Sequence, residues 1–355
     1  MFKDIRFLSN RINFVSELLN IKKKENAYLI EGTLNNKQSI IDKDVLKILK
    51  INLNKLNLDN SNFISKNKFS LEIDKNFKIK NVILNSDVSI DKIKYKKQDL
   101  IDNYFLDINK IILLKDNKLQ INYKNKKFSI IGKGKLKIKE KFNKIENSLK
   151  KYKDEIKFKS NFNLENIFLK KREILREFFP LLNDKINLKN SKIKINYENK
   201  KLSISGDSKI KLDKEFDDIN FLISKKDNKL TFDIDLDLIK TQFKIDKLNY
   251  KKKDGSKFKL NIIGNLIQNQ KLIFSKINIS ENKNKIKIDN LLIGRDKQII
   301  KIDRAKFDYV DIENKRNQFT IQNNGKNNYK LNGLILNANK LITNALKSDD
   351  EQEIK

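Results

Sequence analysis

The side chains that most often carry out catalysis and metal binding are missing from this sequence of 355 residues, which contains neither cysteine nor histidine. Without cysteine there can be no disulfide, no thiolate nucleophile and no thiolate metal site. Without histidine the commonest general base and the commonest metal ligand are also absent. The carboxylates that remain are scattered over turns and polar faces. We therefore expect no enzymatic activity, no catalytic residues, no metal and no cofactor.

One glycine-bearing stretch, GKGK at residues 132–135, deserves comparison with the loops that bind phosphate. A phosphate loop follows a strand and opens a helix, and no such context surrounds this stretch. It is echoed by GDSK at residues 206–209. We interpret both stretches as a strand end or a β-bulge.

The net charge is +32, with 78 basic against 46 acidic residues, so nucleic acid, anionic lipid or an acidic surface could be attracted. Lys, Asn, Ile and Phe are encoded by A- and T-rich codons, so genome composition can account for much of the lysine. Lysine also far outnumbers arginine, whereas phosphate and base recognition favours the planar arginine fork. A nucleic-acid partner is therefore not favoured.

Most of the chain alternates apolar and polar residues over runs of about six to nine residues. Clusters of Asn, Asp and Lys, such as YKNKK, YENKK and SKKDNK, separate the runs in a chain with one proline and nine glycines. A period of two places the apolar set on one face of a sheet and the polar set on the other. The alternation predicts antiparallel strands with one face in water.

The alternating sequence contains an internal repeat. Residues 121–164 align without a gap on residues 195–238, 74 positions later. Gly132 falls on Gly206 and Phe158 falls on Phe232. The second copy reads as strand, turn and strand, so we predict a hairpin over residues 140–159 with its turn at 151–154. Such a repeat indicates stacked supersecondary units within one elongated β region spanning residues 1–355.

Three segments are predicted to be short helices. The clearest is about residues 165–182, where apolar residues recur at a spacing of three to four before Pro180. The other two are residues 15–19 and 341–346, and a polar tail follows at residues 347–355.

The apolar face predicted for the strands must be shielded from water by another layer, and the few predicted helices are too small to provide that layer. Three solutions remain: a sandwich of two sheets, a closed barrel, or a curved sheet whose concave face holds an apolar ligand. Scarce Gly and Pro, the absence of Trp and the one-directional repeat favour the third, a mostly β, elongated, curved antiparallel sheet with one to three short helices. The candidate ligand-contacting residues are the alternating apolar positions Ile121, Tyr123, Phe128, Ile130, Leu136, Ile138, Phe158, Phe162, Ile193, Ile195, Tyr197, Leu202, Ile204, Ile210, Leu212, Phe232, Ile234, Leu236 and Leu238.

Serial alternating strands with Asn/Lys turns, an occasional amphipathic helix and phrases such as YKLNGLILNANKLI, residues 329–342, resemble the AsmA-like family of Gram-negative envelope proteins, YhdP/TamB type. The resemblance covers about residues 30–345. It implies a taco-shaped repeating β-groove that conducts phospholipids between inner and outer membranes, without catalytic residues.

Members of that family begin with a membrane anchor, and this sequence shows no apolar run long enough to span a bilayer and no recognisable secretory signal. We therefore expect a fragment of a longer envelope protein, periplasm-spanning or associated with the inner membrane, whose flanking segments reach the two membranes. Two other functions stay open: a structural or adhesive β-protein without ligand, and a basic binder of single-stranded nucleic acid. A nucleic-acid binder is the less favoured of these two, because the aromatic side chains that would stack on bases and the lysines that would bind phosphates lie on opposite faces of the predicted sheet.

Overall fold

The structure is a computed structural model of the chain, and it describes residues 1–8, 13–41, 56–57, 61–96, 111–171, 173–267, 272–294, 298–325 and 328–337. Twenty-one of the twenty-three strands in these residues lie in curved antiparallel sheet, and the other two form a short ribbon. The predicted mostly β, antiparallel class is confirmed. By its internal contacts the chain divides into unit 1, residues 1–165 and 193–200, and unit 2, residues 166–192 and 201–355.

Unit 1 is a meander in which successive long strands pair antiparallel. Its strands are β1 (Ile5–Leu8), β2 (Asn13–Ser16), β3 (Leu19–Lys23), β4 (Ala27–Ile41), β5 (Leu56–Asn57), β6 (Ser61–Asp74), β7 (Ile79–Lys96), β8 (Ile111–Lys124), β9 (Lys127–Ile138), β10 (Lys141–Tyr152) and most of β11 (Glu155–Lys170). From β6 onward each strand pairs with the next long strand, while β4 pairs with β2, β3 and β6.

Unit 2 continues the same plan after β12 (Lys185–Glu198), whose last residues belong to unit 1. Its strands are β13 (Lys201–Lys211), β14 (Phe216–Lys226), β15 (Lys229–Leu238), β16 (Lys244–Ile245), β17 (Tyr250–Lys251), β18 (Phe258–Ile267), β19 (Leu272–Glu281), β20 (Asn284–Ile293), β21 (Ile299–Val310), β22 (Arg316–Asn323) and β23 (Tyr329–Ile335). Strand β15 pairs directly with β18, and the intervening β16 and β17 form the separate ribbon.

The sequence repeat is also a structural repeat, because β8 and β12 have bounds 74 residues apart at both ends. The backbone angle φ is positive at Asn125 and Lys126, and again at their counterparts Asn199 and Lys200. Two consecutive residues with positive φ form the tight turn that suits the twist of a hairpin, and asparagine tolerates that conformation well. The Asn-Lys clusters therefore act as the hairpin turns of a chain poor in glycine.

The predicted hairpin at residues 140–159 is confirmed. Strands β10 and β11 pair antiparallel up to Tyr152 opposite Glu155, so the turn consists of Lys153 and Asp154. The sequence GKGK does not end a strand, since Gly132 and Gly134 lie inside β9. The bulge lies opposite them, on β8, where the pairing register shifts between Lys115 and Lys118.

The predicted helix over residues 165–182 is wrong for most of its length. Strand β11 extends to Lys170, and only Glu173–Glu177 forms a short 3-10 helix. The apolar residues that suggested a helix belong to two different structures. Ile167 is buried as part of strand β11, whereas Phe179 follows the 3-10 helix and packs against Phe243. Pro180, without a backbone N–H, closes off any longer helix.

The predicted helix at residues 15–19 is also wrong, because β2 ends at Ser16 and β3 begins at Leu19. A second 3-10 helix, Asp246–Leu248, was not predicted. The predicted helix at 341–346 and the polar tail at 347–355 lie outside the described residues. Within the described residues, no helix has the length and apolar character needed to cross a membrane.

Candidate functional site

Cross-strand register places most of the sequence-predicted apolar residues in rows on one face of each unit, which we call the apolar face. In unit 1, Ile121 lies opposite Ile130, which lies opposite Leu149, and Leu149 lies opposite Phe158. Directly opposite residues share a face of the sheet, with Cβ atoms about 5 Å apart. These four side chains therefore form one continuous apolar row across four strands.

Unit 2 carries equivalent rows. Ile204 lies opposite Ile223, and Ile223 lies opposite Phe232. Two residues further along β15, Ile234 pairs with Phe221 on one side and with Ile262 on the other. Because the side chains of a strand alternate between faces, the rows through Phe232 and Ile234 lie on the same side of the sheet. The apolar face of unit 2 thus consists of several adjacent rows along the strands.

The exposure of the nineteen candidate residues separates them into two groups. Five are buried: Ile138, Ile210, Leu212, Leu236 and Leu238. The other fourteen are partly buried, and none of the nineteen is classed as exposed. A closed sandwich would bury the middle rows most deeply. Here residues of the middle rows, such as Ile204 and Phe232, keep contact with solvent.

A glycine allows two aromatic rings to meet on the apolar face of unit 2. Gly264 lies opposite Phe232 on one side and opposite Phe274 on the other. The two rings pack edge to face with centroids 5.9 Å apart. A Cβ atom at position 264 would come within 2.5 Å of the Phe232 ring and of the Ile273 carbonyl oxygen. The missing side chain is therefore what makes room for the ring contact.

One end of the apolar face of unit 2 is closed by two segments, residues 173–184 and 239–257, which we call the cap. Its aromatic centre is Phe243, which stacks on Phe178, meets Phe179 edge to face and packs against Phe258 at a centroid distance of 4.7 Å. Beneath it Leu238 has no exposed surface. The cap excludes solvent from the strand ends that it covers.

The opposite end of the same face is open. Leu266 near the end of β18 is 43% exposed, and Ile299 at the start of β21 is 55% exposed. Burial therefore falls along the strands from the capped end to the hairpin tips near residues 225–230. A ligand entering this face can reach the middle rows from the open end.

A buried carboxylate attaches the second cap segment to the sheet. Asp217, 3% exposed, accepts hydrogen bonds from the backbone N–H groups of Ile239, Lys240 and Thr241 at 2.7, 3.1 and 2.9 Å. Burial alone would raise the pKa of Asp217, but the hydrogen bonds donated by these three residues outweigh it and hold the pKa below its ordinary value. The carboxylate is therefore charged at neutral pH and anchors the turn after β15.

A second buried carboxylate, Glu281, ties the ribbon of the cap to β19. It accepts hydrogen bonds from the Tyr250 hydroxyl and the Lys253 backbone N–H, both at 2.7 Å, and from the Asn284 amide at 3.1 Å. Burial tends to raise the pKa of Glu281, but hydrogen bonds from Ser256, Tyr250 and Lys253 lower it overall. Burial beside this carboxylate raises the pKa of the Tyr250 phenol. The phenol therefore remains a donor throughout the physiological range.

The cap also buries a lysine. Lys252 is 2% exposed, and its Nζ donates to the carbonyl oxygens of Ile239 at 2.8 Å and Lys253 at 3.3 Å. Burial lowers the pKa of Lys252, while the nearby charges of Asp217 and Glu281 act in the opposite direction. The carboxylates of Asp217 and Glu281 and the Lys252 amine are thus all buried at the cap.

No protein-family model, curated protein or solved structure matches the chain. The chemistry that the candidate site can support follows from its own geometry. It offers a partly open apolar surface, one closed end and a polar opposite face. These features suit the binding of an apolar molecule.

Sequence reasoning missed the charged residues of the cap. The residues that Asp217 and Glu281 bind lie 22 to 31 positions away along the chain, except for Asn284, so no local motif marks them. One signal was available, because Glu281 follows Ile277 and Ile279 at the period of two. A charged residue in register with an apolar face needs a buried partner or an exposed position.

Proposed function

We propose that this chain is a non-enzymatic lipid-binding segment of an AsmA-like envelope protein, which passes phospholipid acyl chains along its apolar face between inner and outer membranes. Its place would be the cell envelope, with flanking segments reaching the two membranes. The proposal rests on the fourteen partly buried candidate residues. They supply an apolar surface that the described residues leave partly open to solvent.

The energetic reason for such a surface is the cost of an acyl chain in water, about 0.8 kcal/mol for each exposed methylene. A row such as Ile204, Ile223 and Phe232 removes methylenes from water without requiring a specific pocket. Adjacent rows continue the surface across neighbouring strands, so a lipid can move between rows with little change in free energy. The head group would remain in solvent at the open end.

The cap narrows the set of proposed lipid contacts. Ile210, Leu212, Leu236 and Leu238 are buried at or near the capped end of unit 2, and Ile138 is buried in unit 1. In this structure these five pack against protein atoms. The proposed lipid contacts are therefore the fourteen others, led in unit 2 by Leu202, Ile204, Phe232 and Ile234.

Site-specific photo-crosslinking tests the proposal directly. Benzoyl-phenylalanine would replace Phe221 or Phe232 on the apolar face, and Leu222 on the opposite face would serve as the matched control. Leu222 is apolar, 47% exposed and adjacent in sequence to Phe221. After incubation with phosphatidylglycerol and phosphatidylethanolamine vesicles, we expect lipid adducts by mass spectrometry from positions 221 and 232, but not from 222.

Equal labelling at all three positions, or none, would refute the proposal. In the second case the chain would be better described as a structural β-protein without ligand. A steep decrease of oligonucleotide affinity with added salt, with no lipid adduct, would instead favour the nucleic-acid alternative.

A further inference from the structure

A single lysine interrupts the outermost apolar row of unit 2. Across the open end of the apolar face, the residues that lie directly opposite one another are Leu202, Lys225, Leu230, Leu266, Leu272, Ile293 and Ile299. Lys225 is also two residues from Ile223 and four from Phe221, so its side chain shares their face. It is exposed, and its two cross-strand neighbours are leucines.

Unit 1 has the same arrangement at the equivalent position. Lys151, 74 residues before Lys225, lies opposite Phe128 on β9 and Ile156 on β11. It follows Leu149 by two residues, so it stands on the face that carries Leu149 and Phe158. Lys151 is exposed like its counterpart. Its neighbour Ile156 is 40% exposed, so this end of the strands is open to solvent in unit 1 as well. The repeat therefore places a lysine in the apolar row nearest the hairpin tips in each unit.

Neither lysine has an acidic partner among the described residues, although many lysines of the chain form ion pairs with Asp or Glu. A lysine flanked by large apolar side chains lays its methylenes along them and directs its ammonium group to the edge. An ammonium group beside an apolar row matches an amphiphile whose anionic group adjoins its alkyl chain. The ammonium group recognises phosphate oxygens as a point charge.

We propose that Lys151 and Lys225 bind the phosphate of an anionic lipid head group while its alkyl chain lies on the adjacent apolar rows. This inference rests on the proposed lipid binding and adds the head-group class and the orientation of the lipid. In unit 2 the tail points toward the cap and the phosphate remains at the hairpin tips. An amphiphile without charge binds through its chain alone.

The test compares two double variants of the full chain. Lys151→Leu with Lys225→Leu removes the proposed phosphate contacts. Lys150→Leu with Lys226→Leu is the matched control, because these exposed lysines are the next residues on the same strands and face the other side. Both pairs remove the same charge. The probes are dodecyl phosphate and dodecyl maltoside, each below its micelle concentration, with binding measured by calorimetry.

We expect the first variant to weaken dodecyl phosphate binding by about fivefold or more, the effect of losing a charge-assisted contact at an exposed site. Dodecyl maltoside binding should be unchanged or slightly tighter, because leucine extends the apolar row. The control variant should bind both probes as the wild type does. Inorganic phosphate should not displace dodecyl phosphate, because the alkyl chain supplies most of the affinity.

Several results would overturn the inference. Equal losses in both variants would mean that overall charge governs binding, and displacement by inorganic phosphate would mean a free-phosphate site. If wild type binds both probes and neither variant changes the affinity, lipid binding stands and the head-group inference fails. If wild type binds neither probe, the proposed function itself fails.

Discussion

Replacing Asp217 by alanine should loosen the cap of unit 2. The substitution deprives three backbone N–H groups, at residues 239–241, of a charged acceptor at 2.7 to 3.1 Å. A hydrogen bond to a charged group contributes about 1.5 to 3 kcal/mol, and bonds sharing one acceptor are not additive. We therefore expect a loss of about 3 to 5 kcal/mol in the free energy of unfolding, part of it from donors left unpaired.

The assay combines urea unfolding with hydrogen exchange of residues 239–257. Asp218→Ala is the matched control, because Asp218 is the next residue, is exposed and forms an ion pair with Lys209 at the surface. Surface ion pairs contribute little, so this control should unfold much like the wild type. If Asp217→Ala is as stable as Asp218→Ala, and its amides at 239–241 exchange no faster, the carboxylate does not hold the cap.

The same residue gives a pH dependence of known sign. The folded pKa of Asp217 lies below its ordinary value of 3.8, so the unfolded chain binds the proton more tightly. The stabilisation is fully present above that ordinary value and is lost as the pH falls through the folded pKa. In wild type, cap exchange should accelerate below about pH 4. Asp217→Ala should lack this component of the acid response, and an unchanged acid response would contradict the assignment.

The remaining predictions concern packing and one hydrogen bond. Gly264→Ala should destabilise the chain by about 1 to 3 kcal/mol in urea unfolding, because the added Cβ meets the Phe232 ring and a backbone carbonyl. An unchanged unfolding midpoint would contradict this prediction, since it would mean that the strand moves to accommodate the methyl group without cost. Tyr250→Phe should cost about 1 to 3 kcal/mol, since the buried Glu281 loses a donor at 2.7 Å. Wild-type stability in that variant would show that another donor replaces the phenol.

The strands could be predicted from sequence because their alternation reports burial directly. Ile193, Ile195 and Tyr197 are separated by exposed polar residues in β12, as a period of two requires. The repeat added information that composition lacked, since the strand, turn and strand of the second copy identified residues 140–159 as a hairpin. The turns at Asn-containing clusters were also predictable, because asparagine adopts positive φ more readily than most residues other than glycine.

The cap could not be predicted, because its structure depends on contacts distant in sequence. Phe178 and Phe179 belong to the apolar pattern that predicted a helix, but both rings pack against Phe243, more than sixty residues later. Such tertiary contacts override a local helical pattern over a segment this short. The complete burial of Leu238 could not be predicted either. Leu238 and the partly exposed Phe232 occupy equivalent positions in the alternating pattern of the same strand.

Charged residues in register with the apolar face have different surroundings at its two ends. At the capped end of unit 2, Asp217 and Glu281 are enclosed by hydrogen-bond donors of the cap, which compensate for burying their charges. At the open end, Lys225 is exposed between leucines, and no carboxylate in the described part of the chain forms an ion pair with it. A carboxylate placed at 225 would repel an anionic head group, whereas the ammonium group attracts one. Lys225→Glu should therefore weaken dodecyl phosphate binding more than Lys225→Leu in the same calorimetric titration, and equal affinities for the two variants would contradict an electrostatic role.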